Sequence, residues 1–268
     1  MVGSLYSHGS KRIVPITNNL ELESLEKKKE IVGIIITPEL INLIPINISK
    51  IVTKTPISTS LRIYNTLTQS NPDTDFPTII HKTALLHPTA DIDPHGVIIG
   101  QGSKIDAYVR IHKGVTIGKK VRVGPNTSIG SIPNPVNENL DTLSKLVRGK
   151  VIIEDNVRIH SHVIIERPYY SEETRIGPDC HIDSQTKIGQ GTIIGKATLI
   201  AAIVTIENYT KIGDECWVGP RCEIMSGVEI GDSCHITLGS RVKKKIPPGM
   251  VVKDNWAIKR ERFKEFIP

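Results

Sequence analysis

Branched aliphatic residues recur at every sixth position along most of this chain. The longest unbroken series has twelve members: Ile176, Ile182, Ile188, Ile194, Ile200, Ile206, Ile212, Val218, Ile224, Ile230, Ile236 and Val242. A β-strand alternates with period two and an α-helix with period 3.6, so a strict period of six fits neither element alone and indicates a repeat architecture. Three shorter series precede it, at Ile80, Leu86 and Ile92, at Ile99, Ile105, Ile111, Ile117, Val123 and Ile129, and at Ile153, Ile159 and Ile165.

A second position in each repeat strengthens the pattern. The fourth residue after the aliphatic position is small in most repeats, as at Ala84, Thr186 and Cys216, and the repeats at Ile129, Ile165 and Val242 depart from this. A large inward side chain combined with a small one at a corner is what a three-sided coil requires, with three repeats in one turn. The 24 repeats therefore predict about eight coils, stacked at the spacing of about 4.8 Å found between neighbouring strands.

This pattern resembles that of the hexapeptide-repeat acyltransferase family, over residues 80–252. The resemblance implies a left-handed parallel β-helix. We therefore expect a mainly β protein with a small mixed α/β domain at residues 1–78, a left-handed parallel β-helix of about eight coils at 79–252, and a short C-terminal helix within 253–268 that begins at Trp256 and ends at Phe266.

Residues 1–78 lack the period of six. Local patterning predicts, in order, a charged helix at Glu21–Glu30, a strand at Ile31–Thr37, a short helix at Pro38–Leu43, a strand at Ile51–Lys54 and a helix at Leu61–Thr66. Alternating strands and helices favour a small mixed domain, and the polar stretch Gln69–Pro77 is predicted to be the linker that follows it. Two interruptions, Ser131–Lys150 and Glu166–Arg175, break the repeats; loops that leave a rigid solenoid are frequent places for binding groups.

Composition narrows the class of partner. Aromatic residues are only 4% of the chain, and the net charge of +6 is concentrated at Arg241–Lys245 and Lys259–Lys264. This distribution favours an acidic carrier, coenzyme A or an acyl carrier protein, over nucleic acid. The four cysteines occupy small corner positions without metal-ligand or disulfide spacing, which favours a structural role and a reducing cytoplasm. No apolar run approaches the length of a membrane span.

The order of segments is similar to that of the UDP-3-O-acylglucosamine N-acyltransferases of lipid A biosynthesis. That resemblance implies a homotrimer with sites between subunits, which transfers an acyl group from acyl carrier protein to a sugar amine. It places Gln190 at the catalytic histidine of the family, Gly227 at a second histidine associated with the carrier arm, and Asn208 at the glycine whose backbone N–H serves the oxyanion. Thr55-Pro56 matches the segment that contacts uridine.

A glutamine accepts no proton at neutral pH, so Gln190 is expected to donate its amide to the carbonyl or to hold the acceptor. Glu207 is predicted one coil above Gly189, about 4.8 Å away along the axis, and could orient or deprotonate an amine. His160 and His162 lie beside the second interruption, and either could be the base.

The turn after the last repeat carries three basic candidates, Arg241, Lys243 and Lys244. It resembles the element that closes the β-helix beside the coenzyme A arm in hexapeptide acetyltransferases. The resemblance therefore implies that these side chains contact the phosphates of the cofactor.

The sequence predicts a cytoplasmic, homotrimeric acyltransferase. It would move an acetyl or acyl group from acetyl-CoA or acyl carrier protein to the amine of an amino sugar linked to a nucleotide. One alternative is a non-catalytic scaffold or regulatory homologue that kept the solenoid and lost the base. A metal enzyme similar to the γ-class carbonic anhydrases is disfavoured because the chain has no His-x4-His, and no metal is expected.

Overall fold

A computed structural model describes residues 2–5, 11–18, 21, 22, 25, 29–44, 48–68, 76–133, 135, 138–254 and 256–259, the last four by their backbone only. The chain divides into two units. One, here the N-terminal unit, comprises Met1–Pro72, Ile132–Arg148 and Tyr169–Ser171; the other, here the β-helix, comprises Asp73–Ser131, Gly149–Pro168 and Glu172–Pro268. Parts of both interruptions thus belong to the N-terminal unit, whereas the sequence assigned them to the repeat domain.

The N-terminal unit is built on a parallel sheet with its strands in chain order. The sheet consists of β1 (Arg12–Ile16), β2 (Ile31–Ile36) and β3 (Ser49–Val52). A 3-10 helix at Pro38–Leu43 lies between β2 and β3, and the helix α1 (Pro56–Thr68) follows β3. The predicted order of strands and helices from Ile31 to Thr66 is confirmed.

Two predicted segments of this unit are described only in part. Glu21, Leu22 and Leu25 are helical, in agreement with the predicted charged helix, and Lys29 and Glu30 form a turn. The rest of that helix, and residues 69–75 of the predicted linker, lie outside the described residues.

Residues from the interruptions complete the apolar core of the N-terminal unit. The helix α2 (Leu140–Leu146) comes from the first interruption, and its Leu143 packs in one cluster with Leu61 of α1 and with Tyr170 from the second interruption. The Tyr170 hydroxyl lies 2.8 Å from Ser60 Oγ, so this buried phenol is satisfied by a hydrogen bond. Both segments therefore have a structural role within this unit.

The β-helix has three faces made of short parallel strands. Face 1 contains β4 (Ile79–Ile80), β7 (Val97–Ile99), β10 (Val115–Ile117), β13 (Lys150–Ile153), β16 (Glu173–Ile176), β19 (Ile193–Ile194), β22 (Lys211–Ile212) and β25 (Glu229–Ile230). Face 2 contains β5 (Leu85–Leu86), β8 (Lys104–Ile105), β11 (Arg122–Val123), β14 (Arg158–Ile159), β17 (His181–Ile182), β20 (Leu199–Ile200), β23 (Trp217–Val218), β26 (His235–Ile236), β28 (Met250–Lys253) and β29 (Trp256–Lys259). Face 3 contains β6 (Asp91–Ile92), β9 (Arg110–Ile111), β12 (Ser128–Ser131), β15 (Ile164–Glu166), β18 (Lys187–Ile188), β21 (Thr205–Ile206), β24 (Glu223–Ile224) and β27 (Arg241–Val242).

These strands form the eight coils that the period of six predicts. Equivalent aliphatic residues of successive coils pair in register, as Ile188 does with Ile206 and Ile206 with Ile224. Their side chains point inward and form one core that extends from Val97 to Val252. Branched side chains suit this interior because they pack closely on a pleated surface.

The corners hold the small residues, many of which satisfy backbone carbonyls. The buried hydroxyl of Thr198, for example, donates to the carbonyl of Gly213 in the next coil at 2.9 Å. The four cysteines are free and buried in the same kind of position. The cysteines therefore lie at the small corner positions that the repeat predicts for them.

The chain extends face 2 beyond the eighth coil. β28 pairs in parallel with β26, and β29 then turns back to pair antiparallel with β28. The predicted helix from Trp256 to Phe266 is therefore wrong at Trp256–Lys259, because pairing with the open edge of β28 satisfies backbone groups that would otherwise stay exposed. Residues 260–268 lie outside the described residues.

Candidate active site at the corner between faces 3 and 1

Both interruptions leave the β-helix at the same corner, the one that joins face 3 to face 1 of the next coil. We call it the 3–1 corner. The first interruption follows Ser131 at the end of β12, and the second follows Glu166 at the end of β15. Backbone hydrogen bonds hold successive coils together here: the Tyr209 N–H donates to the Gln190 carbonyl at 2.8 Å.

Most of the residues that the sequence singles out lie at this corner. In ascending coils they are Gln190, then Glu207 and Asn208, then Gly227, and then Lys243 and Lys244. Arg241 precedes the corner on β27. The structure therefore places residues from four consecutive coils along one edge.

Glu166 belongs to the same edge, one coil below Gln190, and sequence reasoning did not single it out. The residue is only 9% exposed. Its carboxylate accepts a hydrogen bond from the backbone N–H of Gln190, and its Oε1 lies 3.5 Å from Nζ of Lys187. Burial raises the pKa of Glu166, and the negative charge of Glu207 adds to this, against the opposing effect of Lys187 and the Gln190 N–H. An acidic residue directly after an inward isoleucine, where the repeat breaks, is the sequence feature that could have indicated it.

Asn208 packs directly above a glycine of the coil below. A Cβ atom added to Gly189 would lie 2.6 Å from Asn208 Oδ1, so only glycine leaves room for this amide. Among the described residues Asn208 Oδ1 has no hydrogen-bond partner, although it is buried. A buried acceptor without a donor is costly, which makes this oxygen a candidate for contact with a ligand.

Tyr209 closes the corner above Gln190. Its backbone is in the left-handed region, with φ of 56°, and its ring lies against Gly191, where an added Cβ would be 2.4 Å from Cδ1. Gln190 is 6% exposed and Tyr209 is 9% exposed. The side chains of this edge are therefore held in a packed arrangement.

The two predicted histidines are not part of this edge. His160 and His162 lie at the corner between faces 2 and 3, and face 3 separates them from Gln190. The His160 ring stacks on that of His181 with centroids 4.7 Å apart, and its Nδ1 lies 3.7 Å from Asp183 Oδ1. Within one chain, neither histidine shares a site with Gln190.

Some cations of the turn after the last repeat, Arg241–Lys245, are ion-paired and others are not; we call this segment the basic turn. Arg241 Nε lies 2.6 Å from Glu223 Oε2, so this guanidinium is already neutralised by a neighbouring coil. Lys243 and Lys244 are exposed and, within the part of the chain that the structure describes, have no ion-pair partner. These two ammonium groups are the ones available to an anionic ligand.

In the N-terminal unit, the segment matched to a uridine contact is occupied by a side chain of the protein. Thr55-Pro56 leads into α1, and the Glu138 carboxylate accepts hydrogen bonds from the N–H groups of Ile57, at 2.8 Å, and Ser58, at 3.2 Å. A carboxylate at a helix N-terminus is favourable because the free N–H groups and the helix dipole attract negative charge. Glu138 therefore caps α1.

The described residues also bear on two other classes of site, metal centres and membrane spans. No group of three or more His, Cys, Asp or Glu side chains is arranged there to hold a metal ion. None of the helices described is long and apolar enough to cross a membrane.

Comparison with known proteins supports the repeat and the fold. A family model described as bacterial transferase hexapeptide (six repeats) matches residues 96–131 and 209–244. The bifunctional protein GlmU of Acetivibrio thermocellus is 24% identical over 133 residues. That alignment covers 44% of this chain and only 28% of the relative.

Solved structures extend the likeness to a larger share of the chain. UDP-N-acetylglucosamine acyltransferase from Campylobacter jejuni has a TM-score of 0.55 and 21% identity, and the match covers 70% of this chain and 81% of that chain. The Arabidopsis UDP-N-acetylglucosamine acyltransferase has a TM-score of 0.54 and 17% identity, and the match covers 71% of this chain and 76% of that chain. The predicted hexapeptide repeat and left-handed parallel β-helix are confirmed.

Proposed function

We propose that this protein is an acyltransferase that works at the 3–1 corner. It moves an acetyl or acyl group from the thioester of coenzyme A or acyl carrier protein to the amine of an amino sugar that is linked to a nucleotide. The observation that carries the proposal is the alignment of buried polar groups and free cations along one edge of a hexapeptide-repeat β-helix. The names of the similar proteins support the reaction class.

Acyl transfer to an amine needs an unprotonated nitrogen, a thioester carbonyl about 3 Å from it, and donors directed at the oxyanion that forms. Backbone N–H groups at a coil corner meet the last need. The Asn208 N–H has no hydrogen-bond partner among the described residues, which supports the role expected for it. The Gln190 side chain is then left to position the acceptor or the carbonyl.

For the donor, we propose that Lys243 and Lys244 bind phosphate groups. Both lysines lie one coil above Gly227 and two coils above Asn208. A pantetheine arm bound along this edge would therefore reach the Asn208 N–H from the basic turn. Arg241 and Glu223 form an ion pair. That pair leaves the two lysines as the principal cations for this contact.

Calorimetry with coenzyme A tests the donor site. Replacing Lys243 and Lys244 together by Ala should weaken binding about tenfold, with a melting temperature close to that of the wild type, because exposed charge contacts are individually weak. Lys119 and Lys120 are adjacent exposed lysines at another corner, and their double replacement by Ala is the matched control. Equal affinities for the two double variants would remove the basic turn from the proposal.

The acceptor site and the assembly complete the proposal. We propose that the N-terminal unit takes part in binding the nucleotide-linked sugar, and that the protein is a cytoplasmic homotrimer, as the family resemblance implies. A panel of uridine- and thymidine-diphosphate amino sugars in thermal shift tests the acceptor, because ligands of the native state raise the melting temperature. Light scattering tests the assembly: a mass of 29.6 kDa, that of one chain, at micromolar concentration would refute the trimer.

One observation favours a second candidate function. Gln190, at the position of the family's catalytic histidine, is buried and accepts no proton at neutral pH. A scaffold or regulatory homologue that retains the solenoid without catalysis would have this feature. Such a protein would bind a nucleotide sugar or coenzyme A and show no turnover with any thioester donor.

A further inference from the structure

A repeated packing arrangement in the β-helix shows what an Asn or Asp above a corner glycine normally does. Asp214 Oδ1 lies over Gly195 and accepts the N–H of the next residue, Lys196, at 2.9 Å. Asp232 Oδ1 lies over Gly213 and accepts the N–H of Asp214 at 2.8 Å. In each case the side chain of one coil satisfies an amide of the coil below.

At the 3–1 corner the same arrangement is built but the hydrogen bond is not made. Asn208 Oδ1 lies over Gly189 in the equivalent place. The N–H that it would accept, that of Gln190, donates instead to the Glu166 carboxylate from the coil below. Among the described residues, Asn208 Oδ1 is consequently a buried acceptor without a donor.

Glu166 is held in place on more than one side. The Gln190 N–H and the Lys187 ammonium group orient its carboxylate, and Glu207 is the other charged group that acts on it. Its side chain keeps 11% of its surface exposed. A carboxylate that is held by two donors but is still partly exposed to solvent can also contact a ligand.

We propose that Glu166 is the general base of the acyl transfer and that Asn208 Oδ1 accepts an N–H of the acceptor amine. The inference rests on the proposed function and names the amine site within it. Asn208 Oδ1 lies over Gly189, and the Glu166 carboxylate accepts the N–H of the next residue, Gln190, so the two acceptors approach the same coil from above and from below. Burial raises the pKa of Glu166 toward the range in which a base is effective.

The reaction balances with these groups and a thioester. The amine nitrogen attacks the thioester carbonyl carbon, the new C–N bond forms, and the nitrogen loses one proton to the Glu166 carboxylate. The C–S bond then breaks, and the departing thiolate takes that proton from Glu166. An amide and a free thiol are produced, and Glu166 returns to its ionised form.

The test compares Glu166→Gln with Glu154→Gln. Glu154 is the matched control because it also follows an inward isoleucine in the same coil, but lies at the corner after face 1, where it pairs with Arg175. Rates are measured over pH 5 to 9 with the donor and amino sugar that give the highest wild-type turnover, and melting curves check the fold. Glu166→Gln should lower kcat at least a hundredfold and abolish the fall in kcat toward acid pH, whereas Glu154→Gln should retain both.

The results distinguish failure of Glu166 as the base from failure of the proposed acyl transfer itself. A Glu166→Gln rate within threefold of the wild type, or an unchanged acid limb, refutes Glu166 as the base even if transfer occurs. A wild type with no turnover across the donor and acceptor panel refutes the proposed function and this inference with it. A melting temperature equal to or above that of the wild type is expected for Glu166→Gln, because the variant no longer buries a charge.

The proposed contact between Asn208 and the amine is tested separately, by measuring KM and kcat for two variants of Asn208. Asn208→Leu removes the acceptor oxygen at similar volume, and should raise KM for the amine at least tenfold. Asn208→Asp keeps an oxygen in this place and should retain a KM within about threefold of the wild type, since aspartates occupy the same position at other corners. Equal KM values for Asn208→Leu and the wild type would refute the contact with the amine.

Discussion

Alanine substitutions at two glycines of the β-helix, Gly191 and Gly239, distinguish backbone strain from a steric clash at the candidate site. Gly191 has φ of 70° and Gly239 has φ of 68°, so alanine is strained at both positions. A Cβ at Gly191 would lie 2.4 Å from Tyr209 Cδ1 and 2.5 Å from Cε1, whereas a Cβ at Gly239 would meet nothing within 4 Å. Gly191→Ala and Gly239→Ala therefore differ in whether the new Cβ atom meets the Tyr209 ring.

The two changes should have different costs. The left-handed conformation destabilises the folded protein by about 1–2 kcal/mol when the residue is alanine. Alanine also lowers the conformational entropy of the unfolded chain, which offsets about 0.4–1 kcal/mol of that cost. Gly239→Ala should therefore lower the free energy of unfolding by about 1 kcal/mol. Gly191→Ala must also displace the packed Tyr209 ring, which adds about 1–3 kcal/mol, the usual cost of overpacking.

Denaturant titration of both variants, each alone and with Tyr209→Ala, measures this difference. In the Tyr209→Ala background, Gly191→Ala should cost no more than Gly239→Ala, because the ring that it meets is gone. Equal destabilisation by the two alanines in the otherwise wild-type protein would refute the packing of Tyr209 over Gly191. A larger effect of Gly239→Ala would refute the strain argument as well.

Three further changes have defined outcomes. Glu138→Ala should speed hydrogen exchange at Ser58 and destabilise the N-terminal unit by about 1–2 kcal/mol, the usual cost of a lost helix cap, and unchanged exchange would contradict the cap. The pKa of His112 is lowered from 6.5 to about 4 by burial and by nearby arginines; the unfolded chain therefore binds a proton that the native ring does not, and stability should fall as pH drops from 6.5 to 4. His112→Gln should remove about 1–2 kcal/mol of that fall in unfolding experiments, after allowance for the partial exposure of the ring, and an equal fall in both proteins would refute it. Ile206→Ala should destabilise the β-helix by about 2–5 kcal/mol because its side chain is fully buried, while Thr205→Ala on the outer surface should change stability by less than about 1 kcal/mol.

The sequence predicts the β-helix well because its fold depends on a local spacing. Ile188, Ile206 and Ile224 must all point inward, and a period of six records this directly in the chain. The order of strands and helices from Ile31 to Thr66 follows from local patterning in the same way, whereas the strand Arg12–Ile16 was not predicted. These features need no knowledge of contacts between distant segments.

The missed features depend on contacts that no period records. The environment of Glu166 comes from Lys187, Gln190 and Glu207 in the coils above it, and a register shift after Ile129 pairs it with Ser131 in the coil below. Tyr170 packs in the N-terminal unit through a contact with Ser60, 110 positions away. The strand at Trp256–Lys259 forms because β28 offers an open edge.

The residues of the 3–1 corner were partly predictable. Gln190, Asn208 and Gly227 were predicted from the family resemblance, and the structure places them at the same corner in three successive coils. His160 and His162 were selected for their chemistry and their nearness to an interruption in the chain. Their corner differs from that of Gln190 because the strand Ile164–Glu166 intervenes.

The central claim is that thioester acyl groups are transferred to an amine at the 3–1 corner. Its most direct test is mass spectrometry of the acceptor together with titration of released thiol, for wild-type protein incubated with acetyl-CoA or acyl carrier protein thioesters and a panel of nucleotide amino sugars. The account predicts one product whose mass increases by one acyl group, formed in equal amount with free thiol, and none with the matching sugars that carry a hydroxyl in place of the amine. Absence of any acylated amine across the panel, from protein with an intact melting transition, would contradict it.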